Sequence, residues 1–370
     1  MVVQYHTELN GNFFNRFYNF IIKECILHRI LGNRWNVLFC ILFIAIPVSY
    51  EAAGIFNWFG ARDLELRQAL ANGEEFPWVF DDYLTVFLQD AFGTTDTIIG
   101  ILVAYSYTFL FIGVSAYGYV CLVGLLVFRD PSERRREPWV YIAVALVMFG
   151  FDLLGFFFFP TAPPVRVNAA FHYRIQIFGH GDEVIAIRFN ALPSGHIWAL
   201  MVPYLGAKSE GMNISAKIFA VTTIIISWVI IMTGDHYFID VITSFMLCIL
   251  FHQLFTYLYD RWHIKNRVFS QEKFIQVEKD LQGTKIRIIL WIIVGIIGLL
   301  TFEKFADWFF PVQLILIFII WPIIAFIYNN AEGYYKLKKP HVHYLYKDII
   351  KFFVDVYRMI IPENGNNLKS

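Results

Sequence analysis

Apolar residues along this chain fall into long runs separated by short polar bands, and most of the runs are long enough to cross a bilayer as helices. The first run covers residues 35–56, with Pro47 inside it as an expected kink. The second covers 97–120, with apolar sequence continuing to Phe128, and the third covers 139–159. The fourth, 195–206, is short for an apolar layer about 30 Å thick, so neighbouring helices are expected to shield part of it. The fifth and sixth cover 216–233 and 237–258, and the seventh and eighth 288–302 and 311–328. Residues 13–31 alternate apolar pairs with polar ones at a helical period and carry a basic polar face. That pattern predicts a helix lying on a membrane surface or packed against the bundle. The tail repeats it, with Ile349, Ile350, Phe353, Met359 and Ile360 opposing Lys347, Lys351, Asp355 and Arg358. No strand signal competes and no internal repeat occurs. The predicted fold is an all-α, polytopic transmembrane helical bundle of about eight spans, with amphipathic surface helices at both ends.

The organisation follows from the same pattern. Residues 1–34 form an amphipathic interfacial segment, and 35–128 hold two spans joined by an acidic connection over 57–97, within which residues 78–87 could dip into the interface. Residues 139–258 carry the polar motifs, 288–328 hold two further spans, and 329–370 form an amphipathic tail.

Composition agrees. Hydrophobic residues make up 58% of the 370 and aromatic residues 19%, too apolar for an ordinary soluble domain, while the 16% that are charged gather between the runs. The formal net charge of zero says nothing about partners, because the distribution of charge decides. No basic cluster interleaves with aromatics, which argues against nucleic acid as a partner. Cys25, Cys40, Cys121 and Cys248 lie in or beside apolar segments without a Cys-x-x-Cys pair, so they read as packing residues. The N-terminus lacks a short apolar core followed by a small-residue cleavage site, so no removable signal peptide is expected.

Charge sets the expected orientation. Arg129, Arg134, Arg135, Arg136, Lys208, Lys217 and the basic residues between Arg261 and Arg287 fall on one side when eight spans are counted, as do both basic termini. The positive-inside rule makes that side cytoplasmic. Residues 160–164, 193–196 and 234–236 then all reach the opposite, extracytoplasmic or lumenal face, although the span count was not chosen to bring them there.

The candidate chemistry lies at that face. His236 and Asp240 are four residues apart, so on a helix they share one face, one turn apart. A carboxylate so placed can fix the imidazole tautomer and stabilise the imidazolium, which a nucleophilic histidine needs. Such a pair is weak evidence alone, but Asp240 falls inside an apolar run, where a carboxylate is costly without a partner. Pro193, Ser194, Gly195 and His196 supply a second histidine behind a turn that opens a helix, and a helix N-terminus attracts phosphate. Asp152 is another intramembrane acid and reads first as a helix-to-helix hydrogen bond, second as a catalytic group. Arg166, His172, Arg174, His180 and Arg188 lie in the polar stretch 160–192. An arginine there could clamp phosphate bidentately, although spacing does not choose among Arg166, Arg174 and Arg188. No acidic cluster resembling a two-metal site accompanies the histidines, so no metal ion and no cofactor are expected. Two histidines, a carboxylate and an anion-binding turn suggest phosphoryl transfer.

Ser194-Gly195-His196 and His236-x-x-x-Asp240 resemble the second and third motifs of the type 2 phosphatidic acid phosphatase superfamily. Phe159-Pro160-Thr161-Ala162-Pro163-Pro164 and Asp235-His236-Tyr237-Phe238-Ile239-Asp240-Val241 are similar to the inositol phosphorylceramide synthase branch. The likeness covers residues 139–258 and implies a six-helix catalytic core. It also implies that His236 is the nucleophile of a phosphohistidine intermediate, that Asp240 orients it, and that His196 protonates the leaving oxygen and later deprotonates the acceptor. Ser194 and the Gly195 amide would hold phosphate oxygens. The Lys-x6-Arg-Pro motif of the phosphatase branch is absent, and Ile230-Ile231-Met232-Thr233, shortly before His236, hold no arginine; both departures are shared with the synthase branch. Ser-Gly-His, where that branch often carries Ser-Leu-His, pulls the other way.

The implied function is transfer of a phosphoinositol-type headgroup from a phospholipid donor to a lipid acceptor. The first alternative is a lipid phosphate or polyprenyl-diphosphate phosphatase using the same histidines. The second is a transporter or scaffold in which the histidines are structural. The sequence leaves headgroup, acceptor, organelle and oligomeric state open.

Overall fold

Runs of Val, Ile, Leu and Phe without charge form helices whose backbone groups are satisfied internally, as an apolar solvent requires. The computed structural model describes residues 13–55, 60–74, 97–129, 134–158, 160–163 and 193–264, with isolated positions at 87–91, 282–293 and 350–357. Helix α1 (Phe13–Phe17) continues as a π-helical segment (Tyr18–Ile30) and is followed by α2 (Arg34–Ile55) and α3 (Gly60–Asn72). Helix α4 (Ile98–Tyr105) starts at Thr97, whose Oγ1 accepts from the Gly100 amide at 3.0 Å. It runs through a second π-helical segment (Ser106–Phe111) into α5 (Ile112–Val127). Helices α6 (Trp139–Phe158), α7 (Gly195–Ser209), α8 (Asn213–Met232) and α9 (Phe238–Ile264) complete the described part. Among the described residues there is no strand, only a bridge position at Thr161.

Four of these helices are long and apolar enough to cross a membrane: Phe109–Val127, Trp139–Phe158, Asn213–Met232 and Phe238–Trp262. Ile21–Ile30 and Arg34–Ile46 meet at 94° and add a fifth span if the bent pair counts as one. The protein is therefore an integral membrane protein with four or five such helices among the described residues, against the eight expected from the sequence. Most of the seventh run, the eighth run, the polar stretch 164–192 and almost all of the amphipathic tail lie outside the described residues.

Helix α7 is the short run, and it sits at the centre. At about 1.5 Å per residue its 15 residues span about 22 Å. It packs against α5, α6, α8 and α9, and Ile197, Leu200, Met201, Val202, Tyr204 and Leu205 are buried there. Close approach depends on small residues: a Cβ on Gly118 would lie 2.6 Å from Pro203 Cγ, and one on Gly206 would lie 3.4 Å from Leu122 and Tyr141. The outer faces keep large apolar side chains exposed, among them Phe158, Val221 and Leu258, as lipid-facing surfaces do.

The acidic connection contains a helix that the hydrophobic runs did not predict. In α3, Leu66 and Ala69 are buried, and Leu66 packs with Phe156 and Ala162 at the far end of α6. Arg62 pairs with Glu65 at 2.7 Å and donates to the Phe157 carbonyl, which ties α3 to that end.

At the opposite end of the bundle the polar groups form one dense network. The Glu210 carboxylate, just past α7, accepts from the Tyr141 hydroxyl at 2.6 Å, the Arg135 and Arg136 amides at 3.0 and 3.2 Å, and Arg129 Nη1 at 3.3 Å. The Arg129 and Glu210 side chains are each only 1% exposed. Arg136 grips both oxygens of Asp260 at 3.0 and 2.7 Å, adding α9 to the junction.

Candidate active site

His236 is held by the way α8 ends. Gly234 adopts φ +72°, a left-handed conformation open to glycine without strain. The Gly234 amide donates to the Ile231 carbonyl and the Asp235 and His236 amides to that of Ile230, at 3.1–3.2 Å, which closes the helix and turns the chain back. Two residues later α9 begins, with Asp240 in its first turn.

Asp240 is wholly buried. Its Oδ2 accepts from the Tyr237 amide at 2.8 Å, serving the N-terminal turn of α9, and faces His236 Nδ1 at 3.5 Å. This leaves His236 Nε2 turned away from the carboxylate, toward α7. There it meets His196 Nδ1 at 3.0 Å, the two rings nearly perpendicular at 75°. Two histidines forty residues apart in sequence thus share one hydrogen bond.

His196 is in the first turn of α7, behind the Pro193-Ser194 turn. The Ser194 amide donates to the Asp240 carbonyl at 3.3 Å, and the Ser194 carbonyl accepts from Ser244 Oγ at 2.9 Å, so both histidine-bearing termini are fastened together through backbone groups. Ser194 does not cap its own helix with its side chain. Its Oγ is buried with no hydrogen-bond partner among the described residues, and the same is true of Asp240 Oδ1 and Asp152 Oδ1. Such groups are rare in folded proteins and mark places where a ligand or water completes the set.

Asp152 lies deeper on α6, where its Oδ2 accepts from Trp198 Nε1 at 2.6 Å. The position a Gly195 Cβ would occupy is 3.4 Å from that oxygen, which brings Asp152 beside the N-terminus of α7. His196, His236, Asp240, Ser194, Gly195 and Asp152 therefore gather at one end of the bundle. Arg166, Arg174 and Arg188 lie outside the described residues. Among the described residues no group of three or more His, Cys, Asp or Glu side chains is arranged to hold a metal ion.

Three contributors had no mark in the sequence reading. Trp198 and Ser244 act through the hydrogen bonds above. Tyr107, in the π-helical segment before α5, places its hydroxyl 2.8 Å from His196 Nε2. Each sits in an apolar run outside any motif; only the polar atom within an apolar stretch could have drawn attention to it.

The arrangement is suited to nucleophilic chemistry at phosphorus. It offers an imidazole backed by a carboxylate, a second imidazole in contact with the first, and a helix N-terminus with an unused hydroxyl beside both. No curated protein and no solved structure matches the chain. Residues 85–254, however, match the family model described as the PAP2 superfamily, and the matched stretch contains every site residue placed above. PAP2 proteins are phosphatases and phosphotransferases acting on lipid phosphates, and this match makes the chain a membrane enzyme of that kind and supports its place in the PAP2 superfamily.

Proposed function

We propose that the enzyme transfers a phosphate-linked headgroup, of the phosphoinositol type, from a phospholipid to a lipid acceptor through a phosphohistidine on His236. The observation that carries the reading is the 3.0 Å bond between His196 Nδ1 and His236 Nε2, with Asp240 behind His236. In the first half-reaction His236 Nε2 attacks phosphorus and the bond from phosphorus to the lipid alkoxide breaks. His196 gives that oxygen its proton, releasing the lipid alcohol. In the second, His196 takes the proton of an acceptor hydroxyl, whose oxygen attacks phosphorus while the nitrogen–phosphorus bond breaks. Asp240 holds His236 Nδ1–H and stabilises the charge on the ring in between. Ser194 Oγ and the Gly195 amide hold phosphate oxygens as charge develops. Transfer, in preference to hydrolysis, is supported by the absence of a Lys-x6-Arg-Pro motif and of an arginine shortly before His236. Ser194-Gly195-His196 favours the second reading, a lipid phosphate phosphatase in which water is the acceptor. In either case the site is proposed to open on the extracytoplasmic or lumenal side, on the strength of the charge distribution.

Lipid product analysis separates the readings. Purified enzyme receives labelled phosphatidylinositol with and without ceramide or diacylglycerol, beside His236→Ala. An acceptor-dependent phosphoinositol lipid that disappears in the variant is the expected result. Phosphate release from a lipid monoester without acceptor, dependent on His236, would leave the site standing and replace transfer with hydrolysis.

A further inference from the structure

We propose that Asp152 is a specificity-determining residue whose Oδ1 binds an alcohol hydroxyl of the lipid substrate, one other than the oxygen that reacts. The proposal rests on the transfer reading above and gives a role to the buried acid that the histidine mechanism leaves unused.

The two oxygens of this carboxyl are used differently. Oδ2 accepts from Trp198 Nε1 at 2.6 Å, and Phe149 meets the Trp198 ring edge-on at 84°, which steadies the indole. Pinning Oδ2 restricts Oδ1, which is buried without a hydrogen-bond partner among the described residues. A helix-to-helix contact with an indole needs a single acceptor, which an amide or a hydroxyl supplies at a smaller desolvation cost than a carboxyl. Packing therefore accounts for one oxygen and not for the second. The carboxyl borders the candidate site: Oδ2 lies 3.4 Å from where a Cβ on Gly195 would stand, so glycine puts no side chain between Asp152 and the first turn of α7. Asp152 is no more enclosed than His236, each being 6% exposed.

The ligand class follows without choosing a protonation state. Trp198 Nε1 can only donate, so Oδ2 accepts whether or not the carboxyl is ionised. Ionised, Oδ1 accepts as well; protonated, it carries the hydrogen and donates. An ammonium suits only the first form, and a phosphate oxygen only the second. An alcohol hydroxyl, donor and acceptor at once, suits both. The reacting oxygen belongs at the histidines, on another face of α7: Trp198 is three residues from Gly195 and shares its face, but only two from His196. Asp152 therefore meets a second hydroxyl, carried either by the donor headgroup or by the lipid acceptor.

The test is a substrate series on the full-length protein in lipid nanodiscs. In the donor arm, phosphatidylinositol is compared with analogues that each lack one ring hydroxyl. In the acceptor arm, ceramide is compared with the analogue lacking its secondary hydroxyl. Wild-type enzyme is expected to lose about tenfold to a hundredfold in kcat/KM when the matching hydroxyl is missing, and the arm that responds tells headgroup from acceptor. In Asp152→Leu the two substrates should come within about threefold of each other, because activity on the full substrate falls toward that on the analogue. The ratio compares two substrates on the same enzyme and does not depend on the fraction that folds; Asp152→Ala repeats the comparison should the leucine variant not fold. A purely structural role lowers both substrates alike and leaves the ratio at its wild-type value. That outcome, or a wild-type enzyme indifferent to every hydroxyl, would overturn the proposal. A wild-type enzyme that makes no acceptor-dependent product would instead strike the transfer reading, and this proposal with it, so the two failures are told apart.

Discussion

The two ends of the helix bundle both bury polar groups, but one is dominated by ion pairs and the other by carboxylate and hydroxyl oxygens without hydrogen bonds among the described residues. At the end with Glu210, carboxylate oxygens, guanidinium groups, amides and a tyrosine hydroxyl bond to one another, and Arg136 and Asp260 add a two-pronged ion pair, although Arg129 Nη2 and Arg134 Nε make no hydrogen bond among the described residues. At the histidine end, Ser194 Oγ, Asp240 Oδ1 and Asp152 Oδ1 are buried without partners among the described residues. A network of buried charges loses much when one member is removed, since the others are left less compensated. Unused buried acceptors and donors are instead a standing expense in stability, kept where a ligand is to complete them. The same helices, α6, α7 and α9, carry both ends. One end fixes how they sit, and the other uses that placement for chemistry.

Substitutions at the two ends should therefore separate stability from activity. His236→Ala is expected to have the largest effect, a fall of at least about 1,000-fold in kcat/KM, with thermal unfolding close to wild type. Asp240→Asn comes next: an amide still accepts from the Tyr237 amide but no longer offers a carboxylate to His236 Nδ1, and a loss of about 100- to 10,000-fold in kcat is expected from donor assays. Glu210→Ala should show the reverse. Its removal takes the carboxylate from buried Arg129, leaving Nη1 only the carbonyl of residue 210 from this pairing, and is expected to destabilise the fold by about 3–5 kcal/mol in denaturant titration, while the folded fraction keeps its kcat. Gly234→Ala lies between the two. Forcing a Cβ into the left-handed region costs about 1–2 kcal/mol and shifts the turn that carries His236, so moderate losses of both stability and activity are expected. The smallest change gives the sharpest contrast. Ser194→Ala should raise stability by about 1 kcal/mol, by removing a buried hydroxyl that has no partner, and lower kcat about tenfold or more. A parallel loss of stability in Ser194→Ala would break the comparison.

Much of the central bundle was legible because apolar runs and helix stops are local. Runs at 139–159, 216–233 and 237–258 appear as Trp139–Phe158, Asn213–Met232 and Phe238–Ile264, and the short run opens at Gly195 as its Pro-Ser-Gly start implied. The four-residue spacing of His236 and Asp240 predicted one helix face, but His236 sits in the bend before α9 and reaches the carboxylate from outside the helix, and the spacing held nothing of the meeting with His196. That meeting depends on how α7 and α9 cross, and no local pattern encodes a crossing. Arg129 and Arg136 were counted as loop charges that set orientation, yet they are only 1% and 8% exposed, engaged with Glu210 and Asp260. A basic residue near a helix end reads the same whether it faces water or a buried acid. Helix α3 was missed because a search for membrane-length apolar runs passes over a 13-residue helix that buries only a narrow stripe. Its Ala, Leu, Glu, Arg and Gln content, closed by Gly73 at φ +70°, was the available signal.

The most direct measurement of the central claim is chemical trapping of the covalent intermediate. Enzyme mixed with phosphate-labelled phospholipid and quenched within a single turnover should carry the label as a phosphoramidate, stable in alkali and labile in acid, on the peptide containing His236. The label should be absent from His236→Ala and should accumulate in wild-type enzyme when the acceptor is withheld. Product formed in a single turnover with no label on the protein at any time, or label persisting in His236→Ala, would contradict the account.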